Sequence, residues 1–368
     1  MCIIKKITTE TQRKIMLRDS VSDYEMSKVS LSRRDFLKLS GYGLMGIYLP
    51  DLSSHLPQQD DFENLQARVI DRVLWAYDEP NSKSKRANLY WRDLILPITN
   101  TTISDDESAY NRVWYQVENK GYVYSGSIQP VRTILNHPQQ ISLRGALGEI
   151  SVPFTEARIE PDANAEVVYR LYYETVHWIA ASAIHPVDDS VWYALLDDKF
   201  DRYYYIPAQH IRLIPDSELA PLSPHIPDRD KRVEVHLDDQ LLMAYENGGL
   251  VFAARVSTGG KRLSGRYTTP IGEFITYHKR PTRHMAAGDI ASSGFDLPGV
   301  PWVLYITESG ISFHGTYWHN DFGRPHSHGC INLTPQAAKW LFRWTTPTVP
   351  PDKELIYGYV GTKVEIKI

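Results

Sequence analysis

The sequence predicts a mainly β protein, built from several small sheets with one short helix near the end of the chain. Runs such as Val113–Val117 and Tyr122–Tyr124 are rich in β-branched and aromatic residues, and turn residues separate them. The chain also contains 23 Tyr and 9 Trp, residue types that are enriched in strands. With 368 residues, of which 42% are hydrophobic, it is long enough to form two or three domains with buried cores.

Residues 1–54 read as an export signal. The segment Ser-Arg-Arg-Asp-Phe-Leu-Lys at 32–38 and the weakly apolar stretch Leu39–Pro50 resemble a twin-arginine signal. This stretch is about a dozen residues long, whereas a membrane-spanning helix needs about 20, so no transmembrane span is expected. Met26 is a more usual start for such a signal than Met1. We therefore expect an extracytoplasmic location, at the cell wall or the outer face of the membrane, with 55–66 as a polar linker.

A weak internal repeat follows the linker, in residues 67–135 and 148–215. Both copies contain a Val-Trp-Tyr strand, at Val113–Tyr115 and Val191–Tyr193, followed by a charged turn and a Tyr-rich strand. The copies resemble bacterial SH3-like domains, small β-barrels that accompany cell-wall enzymes. This resemblance implies contact with cell-wall glycan or peptide, while a role as spacers and packing partners is equally consistent with the sequence.

After a Pro-rich linker at 216–230, residues 231–368 form the last predicted domain. The alternating run 232–245, the turn at 246–249 and the strand Leu250–Ser257 predict a hairpin. One helix is predicted from Thr334 to Trp344, because Thr334 suits the N-cap and Pro335 the first helical position. An alternating strand at 361–368 ends the chain. This domain is therefore expected to be β-rich, with one short helix.

Cys330 is the candidate nucleophile. The chain has two cysteines, and Cys2 lies ahead of the twin-arginine segment, so the exported protein is expected to keep one thiol, which is then a candidate reactive group. His314 ends a predicted strand sixteen positions earlier, so the loop between them can return the thiol to the imidazole. The imidazole would then act as general base. Gly329 permits close backbone approach to a substrate, and the amides near Gly329 and Cys330 suit an oxyanion hole.

These residues resemble the L,D-transpeptidase family, also called the YkuD-type catalytic domain. Its pattern is a His, a spacer, and then Ser/Thr-His-Gly-Cys-apolar-Asn/Arg, which matches His314 and the segment Ser327-His-Gly-Cys-Ile-Asn332. The upstream Ser-Thr-Gly at 257–259 and Thr-Pro-Ile-Gly-Glu-Phe at 269–274 are similar to elements of that family.

The resemblance implies the role of each residue. Cys330 is the nucleophile, His314 its base, and the carbonyl of Gly315 orients the imidazole. His328 is a rival base that the family pattern disfavours. The motif positions that shape the oxyanion loop are Ser327, His328, Gly329 and Asn332. Weaker candidates for substrate contact in the intervening loop are Tyr317, Trp318 and Arg324.

The implied reaction releases D-Ala from a peptidoglycan tetrapeptide stem and transfers the acyl group to an amine of a neighbouring stem, giving a 3→3 cross-link. Members of the family are also acylated by carbapenems. Three alternatives stay open: an L,D-carboxypeptidase that uses water, a non-catalytic wall-binding protein, and a metal site formed by the histidines at 314, 319, 326 and 328 with Cys330. The histidine spacing is not typical of zinc, so no metal or other cofactor is expected. The net charge of −4 disfavours nucleic acid as a partner.

Overall fold

A computed structural model describes residues 64–261, 268–288 and 294–368. The predicted export signal, and residues 55–63 of the predicted linker, lie outside the described residues. In the part of the chain that is described, no helix is long and apolar enough to cross a membrane.

The first sheet has seven strands: β1 (Gln66–Val69), β2 (Val73–Tyr77), β3 (Arg86–Trp91), β4 (Ile95–Ile103), β5 (Val113–Val117), β6 (Tyr122–Tyr124) and β7 (Ile128–Val131). Their order is β3-β2-β6-β5-β4-β1-β7. Its own core contains Leu74, Leu96 and Val117. A short 3₁₀ turn, Ser125–Ser127, connects β6 to β7.

The second sheet also has seven strands: β8 (Ala146–Ile150), β9 (Phe154–Arg158), β10 (Val167–Tyr172), β11 (Val176–Ile184), β12 (Val191–Asp197), β13 (Arg202–Pro207) and β14 (Ile211–Leu213). Their order, β10-β9-β13-β12-β11-β8-β14, repeats that of the first sheet strand for strand. The weak sequence repeat thus corresponds to two sheets of one topology. Their identification as SH3-like barrels stays a prediction.

Two five-stranded sheets make up the C-terminal part. One contains β15 (Lys231–His236), β16 (Leu241–Glu246), β17 (Gly249–Arg255), β18 (Gly272–Ile275) and β24 (Lys363–Lys367), in the order β17-β16-β15-β24-β18. The other contains β19 (His278–Ala287), β20 (Phe295–Tyr305), β21 (Ser312–Gly315), β22 (Ile331–Leu333) and β23 (Ile356–Tyr357), in the order β22-β21-β20-β19-β23. A shared core that includes Phe252, Trp302, Phe313 and Leu341 holds both sheets together.

The predicted helix is confirmed as Pro335–Trp344. The Thr334 side chain caps it by accepting a hydrogen bond from the Ala337 amide at 3.2 Å, and Pro335 occupies the first turn, where its missing N–H costs nothing. The predicted hairpin is confirmed by the antiparallel pairing of β16 with β17. The run 232–245 that precedes its turn contains two strands rather than one, joined by a turn at 237–240. Gln240, at φ 51°, allows this turn.

The predicted linker at 216–230 includes a helical turn, α1 (Asp216–Leu219), and a 3₁₀ turn, Asp228–Asp230. The helix Pro335–Trp344 is α2 below. Leu219 is buried in the core of the C-terminal sheets, and the Leu222 amide donates to the Arg343 carbonyl at 3.0 Å. The segment is therefore packed against α2 over part of its length.

Candidate active site

Sheet register brings the candidate nucleophile and base together. Strands β21 and β22 pair in parallel, with His314 opposite Asn332. Cys330 immediately precedes β22 and therefore lies beside Ser312, the first residue of β21. Ser312 Oγ is 3.6 Å from Cys330 Sγ. The loop 316–330 thus leaves the end of β21 and brings the chain back to pair with β21 as β22.

His314 is held in the tautomer that a general base needs. Its ring is 3% exposed, and Nδ1 lies 3.1 Å from the Gly315 carbonyl oxygen. A carbonyl can only accept, so Nδ1 donates, and the neutral ring keeps its lone pair on Nε2. Trp318 flanks the imidazole, with 5.6 Å between ring centroids. The backbone thus orients His314 without a carboxylate.

The Cys330 thiol is free and partly buried, and its surroundings lower its pKa. Burial alone would raise its pKa, but the hydrogen bond and charge of His314, with further help from Ser312, lower the pKa below the ordinary value of 9.0. The Gly310 carbonyl oxygen is a further contact of the sulfur, at 3.7 Å. Sequence reasoning missed Ser312, although it lies two residues before His314 and therefore shares its strand face.

The motif loop holds Cys330 from both sides. Ser327 Oγ donates to the Cys330 carbonyl at 2.5 Å and accepts from the Gly329 amide at 3.0 Å. The φ of Gly329 is +153°, and a Cβ there would meet the Ile311 side chain at 2.5 Å, so a side chain at this position would be strained. His328 is exposed. Because the Gly329 amide is engaged by Ser327, the Cys330 amide stays the predicted oxyanion donor.

The upstream Ser-Thr-Gly segment braces this loop. Ser257 exchanges two backbone hydrogen bonds with Asn332, at 3.0 and 2.9 Å. The Thr258 carbonyl accepts from the amides of residues 326 and 327. Thr269 Oγ1 accepts from the Gly259 amide at 2.8 Å and donates to the carbonyl of residue 329 at 2.7 Å. Both upstream elements noted in the sequence therefore fix the backbone around the candidate nucleophile.

The loop after His314 is anchored by the first sheet through a buried carboxylate. Asp321, 3% exposed, accepts hydrogen bonds from the hydroxyls of Tyr110 and Tyr124, the latter at 2.8 Å, and pairs with Arg324. Burial would raise the pKa of Asp321, but hydrogen bonds from His326, Tyr110 and Tyr124 outweigh it and lower the pKa to about 2. The Asp321 carboxylate is therefore ionised at neutral pH, and its tyrosine and arginine partners stabilise this charge.

Two further contacts join the same sheet to this loop. Arg68, 3% exposed, donates to the Tyr317 carbonyl at 2.7 Å, and the amide side chain of Asn320 donates to the Ser125 carbonyl at 3.2 Å. The Arg68 guanidinium also lies over the ring of Tyr172, which stacks on Tyr317. Sequence reasoning did not find these contacts.

The three predicted substrate contacts have different surroundings. Tyr317 is buried, and its hydroxyl donates to the Pro298 carbonyl at 3.1 Å. Trp318 is half-buried beside His314, and Arg324 is exposed apart from its ion pair with Asp321. Trp318 is thus the one of the three that adjoins the reacting groups.

The histidines at 314, 319, 326 and 328 have different surroundings. His319 is buried, and this burial lowers its pKa to about 3. Its Nε2 lies 2.9 Å from Nδ2 of the Asn332 side chain. His326 stacks on His319, with centroids 4.7 Å apart. Within the described ranges, no group of three or more His, Cys, Asp or Glu side chains is placed to hold a metal ion.

Comparisons with known proteins find a known family for the C-terminal part of the chain. Residues 230–366 match the L,D-transpeptidase catalytic domain, YkuD. L,D-transpeptidase 1 of Mycobacterium tuberculosis strain H37Rv is 37% identical over 81 residues, which cover 20% of this chain and 32% of the relative. The chain thus spans about a third of the length of the curated relatives that it matches.

Solved structures of the same kind are similar to part of the chain. The Enterococcus faecium L,D-transpeptidase is 23% identical, with a TM-score of 0.28, over 37% of this chain and 49% of its own. L,D-transpeptidase 3 of Mycobacterium tuberculosis is 15% identical, with a TM-score of 0.30, over 51% of this chain and 78% of its own.

Proposed function

Residues 230–366 form an L,D-transpeptidase catalytic domain, and from this premise we propose that the protein is an exported peptidoglycan L,D-transpeptidase with Cys330 as its nucleophile. The observation that best supports the proposal is the arrangement of three groups. The thiol of Cys330 has a lowered pKa, His314 is the group that lowers it most, and the Gly315 carbonyl fixes the tautomer of His314. This is a nucleophile, a base and an orienting group.

In the acylation step, the Cys330 thiolate attacks the carbonyl between the third residue and the D-Ala of a tetrapeptide stem. His314 Nε2 holds the proton taken from the thiol. The Cys330 amide donates to the oxyanion that forms. When the C–N bond breaks, His314 returns the proton to the departing amine, so D-Ala leaves neutral at nitrogen and a thioester remains on Cys330.

In the second step, the amine on the third residue of a neighbouring stem attacks the thioester. His314 takes a proton from that amine, the C–S bond breaks, and a 3→3 cross-link forms with the thiolate restored. Water in place of the amine would give an L,D-carboxypeptidase. The same residues serve both acceptors, so the two activities differ only in which acceptor reaches the thioester.

Exposure to meropenem tests the nucleophile. Intact-protein mass spectrometry should show one adduct on the wild-type protein, located at Cys330, and none on a Cys330→Ala variant with the same thermal melting curve. A folded wild-type protein that gains no adduct would favour the non-catalytic wall-binding alternative and reject the enzyme.

Tetrapeptide muropeptides then test the acceptor. Incubation with the wild-type protein should yield a dimer whose mass equals two tetrapeptides less one D-Ala. Accumulation of tripeptide with no dimer would instead assign the carboxypeptidase activity. The Cys330→Ala variant should give neither product.

We also propose that residues 67–135 and 148–215 are SH3-like modules in contact with the wall, and that residues 1–54 direct twin-arginine export. Sedimentation with insoluble peptidoglycan tests the first statement: the Cys330→Ala protein should pellet with the polymer and stay in solution without it. For export, replacement of Arg33 and Arg34 by Lys should retain the protein in the cytoplasm. Export of that double variant at the wild-type level would contradict the route.

A further inference from the structure

A row of side chains leads away from the nucleophile across the β22-β21-β20-β19-β23 sheet. Cys330 adjoins Ser312 on β21, which pairs with Tyr305 on β20. Tyr305 pairs with His278 on β19, and His278 pairs with Tyr357 on β23. Directly paired residues lie on the same face of a sheet. This row therefore forms one continuous track on the face that carries the thiol.

The rings along the track are stacked. The His278 ring lies between those of Tyr305 and Tyr357, with centroids 4.6 and 4.0 Å away. Tyr357 is 64% exposed, so the far end of the track is open to solvent. Burial raises the pKa of Tyr305, the charges of Arg283 and Arg280 lower it, and that of Cys330 raises it. Tyr305 therefore lies within the electrostatic reach of both the two arginines and the nucleophile.

Two arginines border the track and share one carboxylate. Arg280, two residues after His278 and thus on its face of β19, and Arg283 both pair with Oδ2 of Asp198, at 2.9 and 2.6 Å. Asp198 follows β12 of the second sheet. Burial, then the charges of Arg280 and Arg283, lower the pKa of His278 to about 4, so this ring is neutral at neutral pH. The group of four side chains thus carries one net positive charge.

Two polar atoms in this group are buried without a partner. Arg280 Nε and His278 Nε2 form no hydrogen bond among the described residues, although Arg280 is 9% and His278 8% exposed. A buried donor without an acceptor costs about 1–3 kcal/mol, more for a charged group. An anionic oxygen acceptor beside this group would satisfy the Arg280 Nε–H and offset the excess positive charge.

We propose that Arg280, Arg283 and His278 form a subsite for a carboxylate of the donor stem peptide. The inference rests on the proposed function, because it places a substrate anion beside the thiol of a transpeptidase. Adjacent strands are about 4.8 Å apart, so three strand steps from Cys330 to His278 span roughly 14 Å. The Arg283 side chain lies within hydrogen-bonding reach of Tyr305, two strand steps or roughly 10 Å from Cys330. Three extended residues, the length of the acyl part of the donor, span about that distance. The carboxylate of D-Ala is one residue from the scissile bond, so the anion bound here belongs to the part of the stem that stays on the enzyme.

Matched donor peptides test the subsite. Tetrapeptides are prepared with each stem carboxylate other than that of D-Ala either free or amidated, and the release of D-Ala gives kcat/KM for each. For one carboxylate, the wild-type protein should prefer the acid to the amide by about tenfold to a hundredfold, the range for a hydrogen bond to a charged group. In Arg280→Gln that ratio should fall toward one.

The second variant, Arg283→Gln, removes a partly exposed side chain and should lower the same ratio. Arg232→Gln is the control, since Arg232 pairs with Glu234 in the other five-stranded sheet. A wild-type protein without an acid preference, or an unchanged ratio in both Arg280→Gln and Arg283→Gln, would overturn the subsite.

A binding measurement separates this proposal from the proposed function. Calorimetric titration of the Cys330→Ala protein with the acid and amide peptides should show the same preference without turnover. If meropenem acylates Cys330 and D-Ala is released, but acid and amide bind and react alike, the subsite is wrong and the transpeptidase stands. If no D-Ala is released from any donor, the proposed function fails first.

Discussion

Replacing Tyr124 by Phe removes one hydroxyl from the buried carboxylate that anchors the loop between His314 and Cys330. The Tyr124 hydroxyl lies 2.8 Å from Asp321 Oδ1 and 2.9 Å from the Tyr110 hydroxyl. A hydrogen bond to a charged group contributes about 1.5–3 kcal/mol. The lowering of the Asp321 pKa from 3.8 to about 2 corresponds to about 2 kcal/mol net, after the opposing effect of burial. We therefore expect Tyr124→Phe to lower the free energy of unfolding by about 1–2 kcal/mol.

The pH dependence of this effect has a defined sign. A carboxyl whose pKa is lowered by folding stabilises the protein above its ordinary pKa of 3.8, and this stabilisation is lost as the pH falls through about 2. The difference in unfolding free energy between wild type and Tyr124→Phe should therefore be complete at pH 7 and smaller near pH 2. Urea unfolding at both pH values measures it.

The loop also carries Trp318 against His314, so we expect the same variant to be acylated by meropenem about tenfold more slowly, in line with the cost of small displacements at a reacting centre. Stopped-flow fluorescence or timed mass spectrometry gives this rate. Tyr203→Phe is the matched control, because the Tyr203 side chain is 52% exposed on the second sheet. A variant with reduced stability but a wild-type acylation rate would refute the idea that the first sheet positions the loop.

Three further variants test other parts of the molecule. Burial would lower the pKa of His284, but the hydrogen bonds and charges of Asp197 and Asp296 outweigh it and raise the pKa above 6.5. The charged His284 therefore stabilises the folded protein below pH 6.5, and this stabilisation is lost as the pH rises through the raised pKa. His284→Gln should remove this pH-dependent part of the melting temperature. Lys279→Met should lower the unfolding free energy by about 2–4 kcal/mol in denaturant titrations, because two carbonyls at the end of α2 would lose the buried Lys279 amino group that donates to them. Gly329→Ala should slow meropenem acylation at least about tenfold while the protein stays folded, because its backbone φ disfavours a side chain.

Local features of the sequence predicted the centre of the site. The Cys330 motif and His314 are separated by only sixteen positions, and the cap and first turn of α2 are also encoded within a few residues. Ser312 was missed because its contact with the thiol depends on which strand pairs with which. The turn at 237–240 was missed because its polar run Asp238-Asp-Gln240 contains no glycine or proline to mark it.

Contacts between distant parts of the chain could not be predicted from the sequence. Tyr110 and Asp321 are 211 positions apart, and neither is unusual in its own segment: a tyrosine among many, and an aspartate in a polar loop. The same is true of Asp198, whose role appears only when the second sheet packs beside β19. Local patterns predict which residues are reactive, whereas the residues that hold them in place are determined by packing between distant segments.

Both seven-stranded sheets are thus part of the structure around the thiol. On one side, Asp321 is buried against hydroxyls of the first sheet, and on the other, Asp198 of the second sheet neutralises one of two arginines beside the track from Cys330. A charge buried against a neighbouring domain is costly when that neighbour is removed, because it then lacks its partner. Simple spacers need no such contacts. If the two sheets also bind the cell wall, as we propose, they must do so with surfaces other than those that hold the active-site loop and the arginine pair.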